Sequence, residues 1–186
     1  MCFLVKENKE INEKYYYKVH KTGLPIYVFP KNHSTSFAVF GTRFGSVDST
    51  FKTADDKDFV TVPDGVAHFL EHKLFEDENG NDAFTRYAQY GGDANAFTSF
   101  VRTAYLFSCT NNFNENLEVL LDFVTHPYFT EQTVKKEQGI IGEEIRMYED
   151  NPNWRVFFNM LAAMYVNHPI RRDIAGTIES ISQITP

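Results

Sequence analysis

The sequence contains little cysteine, no long apolar run and no excess of positive charge. Cys2 and Cys109 are the only two cysteines among 186 residues, and no Cys-x-x-Cys pair occurs. We therefore expect no disulfide framework and no thiolate zinc site, and a reducing cytoplasm is the expected compartment. No stretch approaches about 20 consecutive apolar residues, so we expect no transmembrane helix. The first twenty residues lack the apolar segment of a signal peptide.

The charge balance and the aromatic content indicate the class of protein. A formal net charge of -7 argues against nucleic-acid binding, because neutralising phosphates requires clustered Lys and Arg. The sequence is rich in bulky apolar side chains, with 18 Phe, 10 Tyr and a hydrophobic share of 42%. A chain of this length can bury a sizeable core, and we expect a single domain over residues 1–186.

The order of the predicted elements indicates an α+β fold. Strands are predicted at 15–20, 25–30, 36–44, 95–99 and 103–110, and helices at 65–75, 82–90, 114–125, 131–149 and 153–166. Residues 46–64 are polar and are predicted to form a solvated loop, with Asp64 as the N-cap of the following helix. Because strands and helices come in runs, we predict an antiparallel or mixed sheet covered by helices on one face.

The segment 68–72 (HFLEH) places two histidines four residues apart. On a helix such residues share a face, so His68 and His72 can bind one metal ion. A helical wheel puts both histidines and Glu71 opposite an apolar arc, as expected for a metal site that faces a cleft. That arc consists of Val66, Phe69, Leu70 and Leu74. The alternative is a helix with two solvated histidines.

A hydrolytic zinc site needs a third protein ligand and an open position for water. On the helix predicted at 131–149, Glu137 and Glu144 fall inside an apolar arc. Two carboxylates in an apolar face are costly to bury without a partner, and a metal with its surrounding groups would supply one. The alternative is a narrower buried stripe that leaves both carboxylates at its solvated edge. The apolar arc consists of Val134, Ile140, Ile141, Ile145 and Tyr148.

The reversed spacing His-x-x-Glu-His is that of the inverzincin metallopeptidases. The chain resembles their pitrilysin family, which includes insulin-degrading enzyme and the mitochondrial processing peptidase, and most closely its paired bacterial cytosolic members. The resemblance implies a fold like that of the mitochondrial processing peptidase and a bacterial cytoplasmic protein. It is carried by the segments 68–76 (HFLEHKLFE), 91–100 (GGDANAFTSF), 137–147 (EQGIIGEEIRM) and 168–177 (HPIRRDIAGT).

The resemblance also implies a role for each candidate residue at the metal. One zinc ion per chain would be bound by His68, His72 and Glu144. Glu71 would be the general base that takes a proton from the zinc-bound water. Glu137, two helical turns before Glu144, would orient the site. These roles together imply a hydrolase that is a zinc-dependent endopeptidase.

Substrate binding is implied for the strand predicted at 95–99. Asn95 and Ala96 match the Asn-Ala-x-Thr strand of the family, which binds the backbone of a peptide or unfolded polypeptide as an added strand. The alternative reading of these two residues is an ordinary strand that follows the Gly91-Gly92 turn.

The family encloses its substrate between homologous α+β units, and the sequence ends at Pro186 before one unit is complete. We therefore expect these residues to be a truncated N-terminal half that is inactive by itself. The expected partners are the missing C-terminal half and a homologous subunit. Two other functions remain open. One is a non-catalytic, peptide-binding subunit of a paired peptidase. The other is an S-ribosylhomocysteine lyase, which would use a cysteine, here Cys109, as the third ligand.

Overall fold

The computed structural model describes residues 3–186, so the prediction made for Cys2 lies outside the described residues. The chain forms two compact units, one that ends at Ser34 and one that spans Thr35–Pro186. A single zinc-peptidase domain over 1–186 stays a prediction. Within residues 3–186, no helix is both long and apolar enough to cross a membrane.

The first unit contains a three-stranded antiparallel sheet in the order β1-β2-β3. Its strands are β1 (Leu4–Asn8), β2 (Glu13–Val19) and β3 (Pro25–Val28). The two strands predicted at 15–20 and 25–30 are present. β1 was not predicted because all five of its residues are exposed, so it has no alternation of apolar and polar positions.

The second unit contains a sheet in the order β4-β8-β7, and both of its strand pairs are antiparallel. The α+β class is confirmed, and so is the antiparallel sheet. The prediction that 46–64 is entirely loop is wrong, because it contains the short hairpin β5-β6. The elements are β4 (Ser36–Thr42), β5 (Thr50–Phe51), β6 (Val60–Thr61), α1 (Val66–Lys73), α2 (Ala83–Gln89), β7 (Asp93–Thr98), β8 (Thr103–Cys109), α3 (Phe113–Thr125), α4 (Glu131–Glu149), α5 (Pro152–Met164), a 3₁₀ turn (Pro169–Arg171) and α6 (Ile178–Ile181).

Two hydrophobic clusters pack against α1. Leu74, with Leu70 packed against it, belongs to a cluster formed by β8, α2 and α3. Phe69 belongs instead to a second cluster, with Val134 and Ile141 of α4. The helical wheel puts Phe69, Leu70 and Leu74 in one arc. The structure divides that arc between two partners, so α1 lies between the sheet and α4, and its two histidines and Glu71 are partly buried.

The start of α1 is set by close backbone packing rather than by a capping side chain. Asp64 is not the N-cap, contrary to the prediction; its Oδ1 accepts a hydrogen bond from Arg172 Nη1 at 2.7 Å. The N-cap is Gly65, with φ 93° and no side-chain cap. A Cβ on Gly65 would collide with the Ala175 carbonyl, and one on Gly176 with the Asp64 carbonyl. This contact lets the segment 168–177 hold the first turn of the histidine helix.

Candidate metal centre

Three side chains from α1 and α4 converge on one point. His68 Nε2 lies 3.7 Å from Glu144 Oε1, and His72 Nε2 lies 3.4 Å from Glu144 Oε2. One ligand atom from each residue lies within 4.8 Å of the others. Tetrahedral zinc with bonds of about 2.0–2.1 Å separates its ligand atoms by about 3.4 Å. Two imidazoles and a carboxylate therefore fit one zinc ion and leave a fourth position open.

Glu137 contacts the far side of the His72 ring. Its Oε1 lies 3.0 Å from His72 Nδ1, and the Glu137 side chain is buried. Burial alone would lower the pKa of His72, but hydrogen bonds to Glu137 and Glu144 outweigh it and raise this pKa to about 9. The His72 contact in turn lowers the pKa of Glu144. A carboxylate on the second nitrogen of a metal-binding histidine orients the ring, so Glu137 is placed for that role.

His68 has a different electrostatic environment. Burial, and then the charge of His72, lower the pKa of His68 to about 4, so its imidazole is neutral at neutral pH. Its Nδ1 is buried and has no hydrogen-bond partner within residues 3–186. A neutral ring has its Nε2 lone pair available to a metal ion only when the proton is on Nδ1. The site therefore contains one histidine without a partner on Nδ1 and one held by Glu137.

Glu71 lies beside this cluster without belonging to it. The cluster of three ligand atoms does not include its carboxylate. Its Oε2 accepts a hydrogen bond of 2.5 Å from Thr98 Oγ1. Burial raises the pKa of Glu71, and the Thr98 hydrogen bond opposes that shift only in part. A carboxylate near a metal, but held away from it, is the arrangement that a general base requires.

Sequence comparison assigns the chain to a family. Residues 61–178 match the family described as "Insulinase (Peptidase family M16)". The chain belongs to the insulinase family. The zinc protease YmfH of Bacillus subtilis (strain 168) is 54% identical to it over 180 residues, which cover 96% of this chain and 42% of that protein.

Solved structures support the same assignment. The crystal structure described as an M16-like peptidase from Alicyclobacillus acidocaldarius matches with a TM-score of 0.87 and 41% identity, over 100% of this chain and 41% of that one. Pitrilysin matches with a TM-score of 0.77 over 100% of this chain and 20% of its own, and at 18% identity it shows the fold alone. The predicted resemblance is confirmed. The insulinase-family chain thus spans about two fifths of the length of YmfH and of the Alicyclobacillus protein.

The predicted substrate-binding residues lie on the edge of the sheet of this insulinase-family chain. β7, which carries Asn95 and Ala96, pairs only with β8 within the described residues. A cavity of about 390 Å³ is lined by both residues together with Glu71 and His72. The Ala96 N–H donates to Asn95 Oδ1 at 2.8 Å. Substrate binding by this edge stays a prediction, and its position next to Glu71 is compatible with it.

Two residues at the insulinase-family site were missed by the sequence reasoning. Thr98 follows Asn95 in the same strand, and the alternation of β7 turns it toward α1, which was a usable signal. Tyr148 lies one helical turn after Glu144. Burial and then a hydrogen bond with Glu144 raise the pKa of the Tyr148 hydroxyl to about 12. In the sequence, Tyr148 falls in the apolar arc of the helix predicted at 131–149, and that position indicates only a packing role.

The cysteine that a lyase would need lies elsewhere in the insulinase-family fold. Cys109 is buried in the cluster between the sheet and α3, and burial raises the pKa of its thiol. It is not one of the residues that converge with His68 and His72. A buried thiol of this kind is a packing residue rather than a metal ligand, which argues against the lyase.

Proposed function

We propose that this chain carries the metal site of a zinc-dependent endopeptidase that hydrolyses peptide bonds in peptides or unfolded polypeptides. The observation that carries the proposal is the convergence of His68, His72 and Glu144 at zinc-ligand spacing, with Glu71 beside them and outside the ligand set. The names of the relatives support it, because YmfH is named as a zinc protease. The proposed protein acts in the bacterial cytoplasm.

The residues of this chain have different proposed roles in this reaction. His68, His72 and Glu144 would hold a zinc ion, which when bound would supply Lewis acidity to the peptide carbonyl and to the attacking water. Glu71 then accepts the proton of that water. Its raised pKa makes its carboxylate a stronger base than an exposed glutamate. Glu137 keeps the His72 ring in orientation through Nδ1.

The edge of β7 is the proposed binding site for the substrate backbone. An extended peptide can add to an open sheet edge through main-chain hydrogen bonds. Because the Ala96 N–H already donates to Asn95 Oδ1, the Asn95 side chain has to turn before that N–H can bind a substrate carbonyl. The partners proposed for the site are an opposing C-terminal half and a homologous subunit, which would enclose the peptide.

The test separates metal binding from chemistry in the full-length protein. Glu71→Gln should keep one zinc per chain and lose turnover by about 10²–10⁴-fold, because the general base is gone. Zinc content is measured by elemental analysis and turnover with an unstructured peptide. The matched control is Glu143→Gln, an exposed α4 carboxylate that pairs with Arg146 and should keep both properties.

One result would reject the role of Glu71, and another would reject the peptidase activity. Near-normal hydrolysis by the Glu71→Gln protein would mean that another residue activates the water. A wild-type protein that binds peptides and zinc but shows no chelator-sensitive hydrolysis would instead be the non-catalytic, peptide-binding subunit.

A further inference from the structure

The Glu71 carboxylate lies outside the cluster of metal-ligand atoms, although Glu71 is next to a proposed ligand on the same helix. The geometry of α1 by itself does not explain this position. Glu71 directly precedes His72 on α1, so a metal bound by the histidine pair lies within reach of its flexible side chain. A half-buried carboxylate next to a divalent cation is strongly attracted to it. Coordination by Glu71 would fill the open position that water needs. Some group must therefore hold this carboxylate in place.

The hydrogen bonds around Glu71 identify Thr98 as that group. A hydroxyl has one proton to donate. Thr103 Oγ1 uses its proton on the Phe44 carbonyl at 2.9 Å and lies 3.4 Å from Thr98 Oγ1. The Thr98 proton could therefore go to Thr103 Oγ1 or to Glu71, and Glu71 Oε2, at 2.5 Å, is much the nearer acceptor; an ionised carboxylate can only accept, so Thr98 is the donor. The Ala67 carbonyl is more distant, at 3.5 Å.

Thr98 is anchored in the sheet rather than in α1. It is the last residue of β7 and lies opposite Thr103 of β8. The turn after it is closed by a 2.8 Å hydrogen bond from the Ser99 N–H to the Arg102 carbonyl. A β-branched side chain has restricted χ1 freedom, which reduces the motion of its hydroxyl. Strand alternation turns Thr98 to the helix-covered face, opposite Asn95.

We propose that Thr98 is a positioning residue whose hydroxyl binds Glu71 Oε2 and keeps this carboxylate from binding the metal. Oε1 is then the oxygen that accepts the proton of the attacking water. The catalytic step of this inference rests on the proposed function. The claim about coordination does not, because it concerns only where Glu71 lies when the metal is bound.

The kinetic test uses two substitutions in the full-length, zinc-loaded protein. Thr98→Val keeps the shape of the side chain and removes the hydroxyl; it should lower kcat by about 10–100-fold and leave KM unchanged, as expected for a misplaced catalytic group. Thr98→Ser restores a hydroxyl and should recover most of kcat. The control is Thr103→Val, which removes the neighbouring buried hydroxyl without touching Glu71 and should keep kcat even where it lowers Tm.

A second readout requires no catalytic activity. Cobalt in place of zinc gives a visible absorption spectrum that weakens as the coordination number rises. We expect this change in Thr98→Val, because Glu71 is released to bind the metal. We expect its reversal in the double variant Thr98→Val/Glu71→Gln, and no change in Thr98→Ser.

Three results would overturn the inference. They are a Thr98→Val protein with the wild-type cobalt spectrum, one with the wild-type kcat, or a Thr98→Ser protein as impaired as Thr98→Val. A wild-type protein without peptidase activity would remove the proposed function alone, since the cobalt spectra would still decide whether Thr98 holds Glu71 away from the metal.

Discussion

At the residue scale, the two histidines of the metal centre begin from different protonation states. His68 is neutral at neutral pH, with a pKa of about 4. His72 lies between Glu137 and Glu144, and its pKa of about 9 makes it a cation in the metal-free protein. The protonated ring neutralises part of the negative charge that zinc would otherwise neutralise. A zinc ion bound at the proposed site would therefore have to displace a proton from His72.

We predict that zinc affinity rises with pH because of this proton. Below the His72 pKa of about 9 the ring is protonated and competes with the metal, so the association constant should rise about 10-fold per pH unit between about pH 6 and 8. Titration calorimetry in buffers of different ionisation enthalpy should detect one proton released per zinc. Glu137→Gln should flatten the dependence, because it removes a hydrogen bond that raises this pKa. A pH-independent affinity in the wild type would show that His72 is already neutral.

Of two adjacent glutamates on α4, only Glu144 is proposed as a metal ligand. Glu144 faces both histidines, whereas the Glu143 side chain is 76% exposed and pairs with Arg146. Glu144→Ala should weaken zinc binding by more than the roughly 10–100-fold typical of residues that only support a ligand. Glu143→Gln should bind zinc as the wild type does. Elemental analysis that found full zinc occupancy in the Glu144→Ala protein would remove Glu144 from the ligand set.

At the scale of the elements, α1 and α4 are connected by a charged bridge outside the metal site. Lys73 of α1 is only 1% exposed, and its Nζ donates to Glu76 Oε2 at 2.7 Å. The other oxygen of Glu76 accepts from Lys136 of α4 at 3.2 Å. A buried ammonium without a counter-charge is costly, so Glu76 stabilises the end of the helix that presents the histidines. Lys136 directly precedes Glu137.

We predict that Glu76→Gln lowers the free energy of unfolding by about 1–3 kcal/mol at neutral pH, because Lys73 loses its charged acceptor. Hydrogen bonding to Lys73 lowers the pKa of Glu76. Its contribution is therefore present above the unfolded pKa and is lost as pH falls through the folded one. Urea unfolding at pH 7 and at acid pH should show the difference between variant and wild type shrinking in acid. The control is Glu78→Gln, an exposed neighbour, and equal stability of Glu76→Gln and wild type would contradict the prediction.

At the scale of the whole molecule, several large apolar side chains are exposed in the second unit. Phe37, Val39 and Phe97 are 44–61% exposed on strands of the sheet. On α5, Val156 and Met164 are 69% and 63% exposed. Large exposed apolar patches are uncommon on monomeric proteins. These 186 residues by themselves should therefore self-associate, which sedimentation velocity over a range of concentrations would detect.

We also predict that these residues alone bind zinc but hydrolyse peptides inefficiently. All the proposed ligands lie within them, yet the opposing half of the proposed enzyme would supply groups to the developing oxyanion. Loss of one such donor typically costs about 10²–10³-fold in rate, and an open, wet cleft weakens the remaining electrostatic terms. The zinc-loaded polypeptide is incubated with an unstructured peptide pool, and new N-termini are followed by mass spectrometry. Rapid, chelator-sensitive cleavage that disappears in Glu71→Gln would show a self-sufficient peptidase.

The fold could be predicted wherever a local pattern determines an element. The predicted helix over 131–149 has the same limits as α4, and the other four predicted helices agree to within two residues at each end. β1, β5 and β6 were missed because their residues are exposed or the strands are two residues long. Such strands are stabilised by hydrogen bonds to a neighbouring strand, and the local sequence pattern of one strand contains no information about that neighbour. Asp64 was assigned as a cap for the same reason, because the contact between Gly65 and the Ala175 carbonyl joins distant segments.

The sequence by itself determined which side chains share a face, since helical and strand periodicity are local. His68 and His72 had to lie together, and Glu137 and Glu144 had to lie two turns apart on one apolar arc. Only the tertiary structure decided that Glu144 faces both Nε2 atoms while Glu137 contacts Nδ1 of His72, 65 positions away, and that Thr98 binds Glu71. Those contacts depend on how α1 packs between α4 and the sheet, and that packing results from two hydrophobic clusters formed by residues far apart in the chain.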